Sequence, residues 1–201
     1  MESRLDQVNH YLDGSLAVMR QVAESCGSEI VAVADAITSA LNDGNKVLLC
    51  GNGGSAADCQ HMASELVSGL ARDSDRPGLS AIALTTDTSF LTARANDHGF
   101  DEIFERQVQV LGRRGDVLIA ISTSGRSENV LRAVRSARGK GMTTVGFVGA
   151  DGPLAVEVDY AVVIPDHDTQ HIQEALLPVE HAVCSLVEQA VLARGQTLVD
   201  Q

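Results

Sequence analysis

Five short apolar runs, at residues 46–50, 80–85, 116–121, 143–148 and 160–164, are interleaved with stretches of helical periodicity over 55–70, 87–97, 101–111, 127–139 and 169–193. Strands separated by helices favour a parallel sheet with helices on both faces, which predicts an α/β fold. The side chains available suit that arrangement. Hydrophobic residues make up 44% of the chain, aromatics only 3%, and Trp is absent, so the core is built from Ala, Val, Leu and Ile. Two further helices precede the alternation. Residues 1–25 place Leu5, Val8, Leu12, Leu16 and Met19 on one stripe, and residues 28–42 carry Ile30, Val31, Val33, Ala34, Ile37 and Leu41 before Asp43-Gly44 stops them. A length of 201 residues fits a single domain. Within it, 1–43 are helices for packing and oligomerisation, and 44–201 form the α/β core.

Two of the strand ends carry turns of unusual chemistry. The first apolar run leads into Gly51-Asn52-Gly53-Gly54, where glycines tolerate positive φ, and then Ser55, which reads as the N-cap of the following helix. The third run leads into Ser122-Thr123-Ser124-Gly125-Arg126-Ser127, with Ser127 as the next N-cap. Hydroxyls, backbone N–H groups and a helix N-terminus together suit an anion such as a phosphate. Neither turn matches the dinucleotide fingerprint or the P-loop, and either one alone also reads as an ordinary tight turn or capping loop. Two such loops at strand carboxyl ends, where open α/β sheets bind ligands, point to a phosphorylated small molecule.

Groups for acid/base or metal chemistry lie nearby. His61 and Glu65 are at i and i+4, so they share one face of the helix at 55–70. Gln173 and His181 on the last helix lie about 80° apart around the axis and about 12 Å apart along it, near enough for both side chains to reach a shared point. In isolation the first pair also reads as solvated, His181 as half-buried and Gln173 as solvated. Pro178 is expected to kink or tighten that helix. The polar stretch at 72–78 reads as a surface or inter-subunit element.

A formal net charge of −12 argues against a nucleic-acid partner, whose phosphates require clustered Lys and Arg. Cys26, Cys50, Cys59 and Cys184 form no CxxC pair, which fits a reduced, cytoplasmic protein. The N-terminal stretch lacks a secretory signal's apolar core, and no apolar run is read as long enough to span a bilayer.

With these pieces in place the chain resembles the phosphoheptose isomerases, the sedoheptulose 7-phosphate isomerases of the sugar-isomerase (SIS) family. The resemblance rests on CGNGGSAADCQHMASEL at 50–66, ALTTDTSFLTARANDHGFDEIF at 83–104, GDVLIAISTSGRSENVL at 115–131 and HIQEALLPVEH at 171–181. It implies a five-stranded parallel sheet in a three-layer αβα sandwich. It implies that Asn52, Gly53, Gly54, Ser55, Glu65, Asn96, Asp97, Ser122, Thr123, Ser124, Ser127 and Gln173 meet the substrate. It implies zinc held by His61, Glu65, Gln173 and His181, and a homotetramer with its sites between subunits. The implied reaction converts D-sedoheptulose 7-phosphate to D-glycero-D-manno-heptose 7-phosphate, through an enediol, in nucleotide-activated heptose biosynthesis. Such a ketose–aldose isomerisation needs a base near the C–H and a proton carrier near the oxygens, and Glu65 and His181 fit those roles. Three positions depart from the family pattern: Leu176 stands where a histidine is frequent, Arg126 where an asparagine is common, and 149–153 lacks paired glycines. Other SIS proteins give the rival readings: a non-catalytic module resembling the replication-initiator-associating protein, a different phosphosugar enzyme, or a sugar-phosphate-sensing regulator.

Overall fold

The computed structural model of the chain describes residues 3–70 and 76–199. Residues 72–75 of the predicted polar surface segment therefore lie outside the described residues. The chain opens with α1 (Arg4–Ser25), started by a capping box in which Ser3 and Asp6 satisfy each other's backbone N–H groups. Next comes α2 (Gly27–Asn42), and Gly44, at φ 78°, turns the chain out of it. The core then runs β1 (Val47–Gly51), α3 (Gly54–Ser68), β2 (Ala81–Ala83), α4 (Thr88–His98), α5 (Glu105–Leu111), β3 (Val117–Ser122), α6 (Glu128–Gly139), β4 (Thr143–Gly149), α7 (Leu154–Glu157), β5 (Tyr160–Ile164) and α8 (Thr169–Val199).

Among the described residues the sheet has five parallel strands in the order β2-β1-β3-β4-β5. The chain leaves β1 towards one edge and returns at β3 on the other side, so the strand order reverses between β1 and β3. Ligands of open α/β sheets bind above such a reversal. The two strands are in register from Val47 opposite Val117 to Gly51 opposite Ile121, which brings their carboxyl ends out side by side. At the other end, buried Asp116 accepts hydrogen bonds from the Lys46 and Arg113 backbone N–H groups at 3.0 and 2.8 Å and from the Lys46 ammonium at 2.5 Å.

Alternate strand residues feed two cores, as the period of two requires. Val47, Leu49, Val117, Ile119, Ile121, Val145 and Phe147 pack with α1, α2, α3 and α8 on one face. Leu48, Cys50, Leu118, Ala120 and Val148 pack with α5, α6 and α7 on the other. The predicted three-layer α/β sandwich is the fold that forms.

Some boundaries differ from the predicted ones. The helix expected at 101–111 is a 3-10 turn at Phe100–Glu102 followed by α5, because buried Ile103 and Phe104 drop into the core between them. The short α7 was not predicted; Pro153, at φ −59°, already holds the helical dihedral at its start. By length and composition α8 contains a segment, Thr169–Arg194, apolar enough to cross a membrane, contrary to the expectation of no such run. In the fold its apolar side, from Ile172 through Leu176 and Val183 to Val187, forms part of the first core. The helix continues through Pro178.

Candidate active site

The turn after β1 is shaped by contacts that only glycine permits at Gly51: a Cβ there would lie 2.9 Å from the Ile121 carbonyl oxygen and equally close to Ser55. Gly53 then takes φ 55° and ψ −120° and is itself the N-cap of α3. This corrects the prediction for Ser55. The left-handed turn places the cap two residues earlier, so Ser55 lies buried within the first turn and donates from Oγ to Gln173 Oε1 at 3.4 Å. Neither α3 nor α6 has a side-chain cap at its N-terminus among the described residues, and Ser127 caps α6 by backbone position alone. Side-chain caps come from Ser3, Asp87 and Asp168 on α1, α4 and α8, and α2, α5 and α7 also lack one among the described residues. The two helices that start above β1 and β3 thus keep uncapped first-turn N–H groups and the positive end of a dipole, the chemistry of an anion site.

The loop after β3 is held open by its own bonds. Gly125, at φ 62°, donates from its N–H to the Ser122 carbonyl, and Ser122 Oγ donates to Ser127 Oγ at 3.3 Å. Its outer side is tied to the segment after β4. Gly149 N–H bonds the Thr123 carbonyl at 3.1 Å, Leu154 N–H bonds the Gly125 carbonyl at 3.2 Å, and Arg126 Nη2 donates to the Asp151 carbonyl at 2.9 Å. A Cβ on Gly125 would come within 2.5 Å of Gly152 Cα, so one glycine on each segment meets the other. That contact gives the departures at Arg126 and 149–153 a structural place. The third departure, Leu176, is fully buried in the first core.

Beyond this cradle, α3 and α8 run side by side. His61 Nε2 lies 2.9 Å from His181 Nε2, and Glu65 Oε1 lies 3.1 Å from the first and 3.4 Å from the second. The Glu65 side chain is 12% exposed and the two imidazoles 45% and 42%, so a mostly buried carboxylate stands beneath two half-exposed bases. Donor atoms about 3.3 Å apart are what a tetrahedral zinc ion requires. Glu65 Oε2 is buried without a hydrogen-bond partner among the described residues. Two imidazole nitrogens and a carboxylate at these separations fit a divalent metal of the zinc type.

Gln173 is placed differently from the other three expected ligands. Its amide nitrogen donates to the Asp58 carboxylate and its Oε1 accepts from Ser55, which sets it beside the first turns of α3, between cradle and cluster. Asn96 and Asp97 lie near the end of α4, exposed, with the Asn96 amide donating to Asp97 Oδ1 at 2.8 Å.

Sequence reasoning missed three buried or half-buried polar residues here. Asp58 precedes His61 by three positions, a helical spacing that could have exposed it; burial raises its pKa, and the Gln173 hydrogen bond and His61 offset part of that. Glu180 is fully buried with neither oxygen bonded among the described residues, and its pKa is pushed up to about 9 by burial and then by the Asp58 and Glu65 carboxylates. Asn129, in the first turn of α6, pairs with Asn52. The four cysteines are buried free thiols; burial raises Cys50 to about 12 and Cys59 and Cys184 well above the usual range, which disfavours the thiolate at those three.

Comparison with known proteins places this architecture. The SIS domain family matches residues 10–149. The phosphoheptose isomerase of Roseiflexus sp. is 50% identical over 90% of this chain and 91% of its own length. That of Aquifex aeolicus is 49% identical over 95% of this chain and all of its own. Among solved structures, the phosphoheptose isomerase of Neisseria gonorrhoeae superposes with a TM-score of 0.87 at 38% identity, covering 93% of this chain and 100% of that one. The Francisella tularensis enzyme gives 0.89 at 36% identity over 93% and 99%.

Proposed function

We propose a substrate and a proton route from one premise: the chain belongs to the SIS-domain family and, within it, to the phosphoheptose isomerases, so it is an isomerase acting on a phosphosugar. The substrate is D-sedoheptulose 7-phosphate and the product D-glycero-D-manno-heptose 7-phosphate, on the way to nucleotide-activated heptose. The phosphate sits over the N-termini of α3 and α6, held by Ser55, Ser122, Thr123, Ser124 and Ser127 and the backbone of Asn52, Gly53 and Gly54. Asn96, Asp97 and Gln173 serve the sugar hydroxyls. The reacting carbons reach His61, Glu65 and His181.

The observation that carries this reading is the convergence of Glu65 Oε1 with two imidazole nitrogens within 3.4 Å, on the same helix whose N-terminus, with that of α6, is left uncapped. Glu65 removes a proton from the carbon beside the ketose carbonyl, giving an enediol, and returns it to the former carbonyl carbon. His181 moves the accompanying proton between the two oxygens. This division suits a carboxylate shielded from water and an imidazole open to the substrate side. His61, Glu65 and His181, with Gln173, would hold zinc, which supplies polarisation of the substrate oxygens when bound.

The assembly is a homotetramer with sites between subunits. Leu5, Val8, Leu12 and Leu16 are each more than half exposed along one stripe of α1, an apolar face that a second copy would cover. Four buried free thiols suit a cytoplasmic setting.

The test is conversion of sedoheptulose 7-phosphate by purified protein, first stripped of metal and then with zinc restored. Aldoheptose 7-phosphate formed only with zinc supports both reaction and metal. Formation without zinc keeps the reaction and removes the metal from it. No product from a folded oligomer under either condition overturns the substrate assignment and turns attention to a non-catalytic or differently specific SIS protein.

A further inference from the structure

Beyond Gly51 and Ile121 the β1–β3 ladder ends, and the two phosphate-binding loops separate from the sheet. One pair of side chains still joins them. Asn52 Nδ2 donates to Asn129 Oδ1, and Asn129 Nδ2 donates to Asn52 Oδ1, both at 2.9 Å. Asn52 belongs to the turn before α3, and Asn129 to the first turn of α6, only 2% exposed. The pair therefore spans from the start of one anion-binding helix to the start of the other. On its far side the β3 loop has three ties to the segment after β4, through Thr123, Gly125 and Arg126. Towards β1 the reciprocal amide pair is the side-chain tie found among the described residues.

We propose that Asn129 and Asn52 form a clasp that sets the spacing of the two phosphate-binding loops, which makes Asn129 a positioning residue and gives Asn52 that role ahead of direct contact with the sugar. The inference rests on the phosphate reading above. A primary amide carries donor and acceptor on one planar group, so two amides facing each other satisfy both in a fixed geometry. A carboxylate at either position would set oxygen against oxygen. Alanine at 52 would leave the buried Asn129 amide without its partner. An error of an ångström in the spacing of groups that bind one ligand costs far more than the bonds themselves suggest.

The test is a double-mutant cycle read by the KM and kcat for sedoheptulose 7-phosphate and by the calorimetric Kd for inorganic phosphate. Asn129→Ala should raise both KM and the phosphate Kd about tenfold and change kcat by less than about threefold. Asn52→Ala should do the same, and the double variant should be no worse than either single one. If Asn129→Ala does not fold, Asn129→Asp, which keeps the size and removes the donor, takes its place in the cycle. A folded Asn129→Ala that binds phosphate as tightly as the parent overturns the proposal, as does an Asn52 effect that is much larger and additive. A parent protein that neither binds phosphate nor turns over the sugar removes the function reading, and the clasp's purpose with it; the two failures are thereby distinct.

Discussion

The proposed phosphate cradle and the histidine–glutamate cluster lie along the same helix, α3, yet they are built by different physics. The cradle is backbone: glycines at positive φ, two uncapped helix starts, and hydrogen bonds that close within a few residues or across adjacent strands. The cluster is side chain: His61 and Glu65 from α3 meet His181, 120 residues away on α8. Cradle geometry follows from turns that fold almost anywhere their glycines occur. Cluster geometry exists only if α8 packs on α3 in the right register. A lesion in the first should therefore weaken binding, and a lesion in the second should stop chemistry or loosen the fold.

The largest expected effect tests that division directly. Glu65→Gln should lower kcat for sedoheptulose 7-phosphate by about 10²–10⁴-fold, with a thermal midpoint close to the parent's and phosphate affinity kept. Near-parental turnover would mean the cluster is not where the proton moves.

Next comes the packing that creates the cluster. Leu66 is 1% exposed in the core that joins α3 to α8. Leu66→Ala should cost about 2–5 kcal/mol in urea melts. If it proves neutral, the register of α8 on α3 is set elsewhere.

Metal should act on one region only. Zinc at about a hundred times its Kd should raise unfolding stability by about 2.7 kcal/mol. His61→Ala should remove most of that gain in differential scanning calorimetry while leaving phosphate binding unchanged. An equal gain in the variant would show zinc bound away from the cluster.

The cradle should fail in the opposite sense. Gly125→Ala must accept φ 62° and a Cβ 2.5 Å from Gly152 Cα, which stores about 1–3 kcal/mol of strain. KM should rise with kcat little changed; a selective loss of kcat would break the separation of the two regions. The smallest effect is expected at Arg126, whose exposed side chain reaches the Asp151 carbonyl. Arg126→Asn should shift stability by about 0.5 kcal/mol or less and KM only slightly, and a large rise in KM would assign Arg126 to the ligand.

By itself the sequence determined whatever depends on neighbours a few residues apart. The period of apolar runs decided the layers, the glycines of 51–54 and 125 decided where the chain turns at the strand ends, and an i, i+4 spacing put His61 and Glu65 on one face. Similarity to a family, carried by the quoted motifs, brought Gln173 and His181 into the same candidate site. Tertiary structure alone decided the rest. It made Gly53 the cap in place of Ser55, gave Gln173 to Asp58 and Ser55, joined Asn52 to Asn129, and buried Glu180 beside two other carboxyl groups. The reason is range: a backbone dihedral or a helical repeat is a local property of the residues that carry it. A contact between α3 and α8, or between the turns after β1 and β3, depends on strand order and helix packing, which no short segment contains.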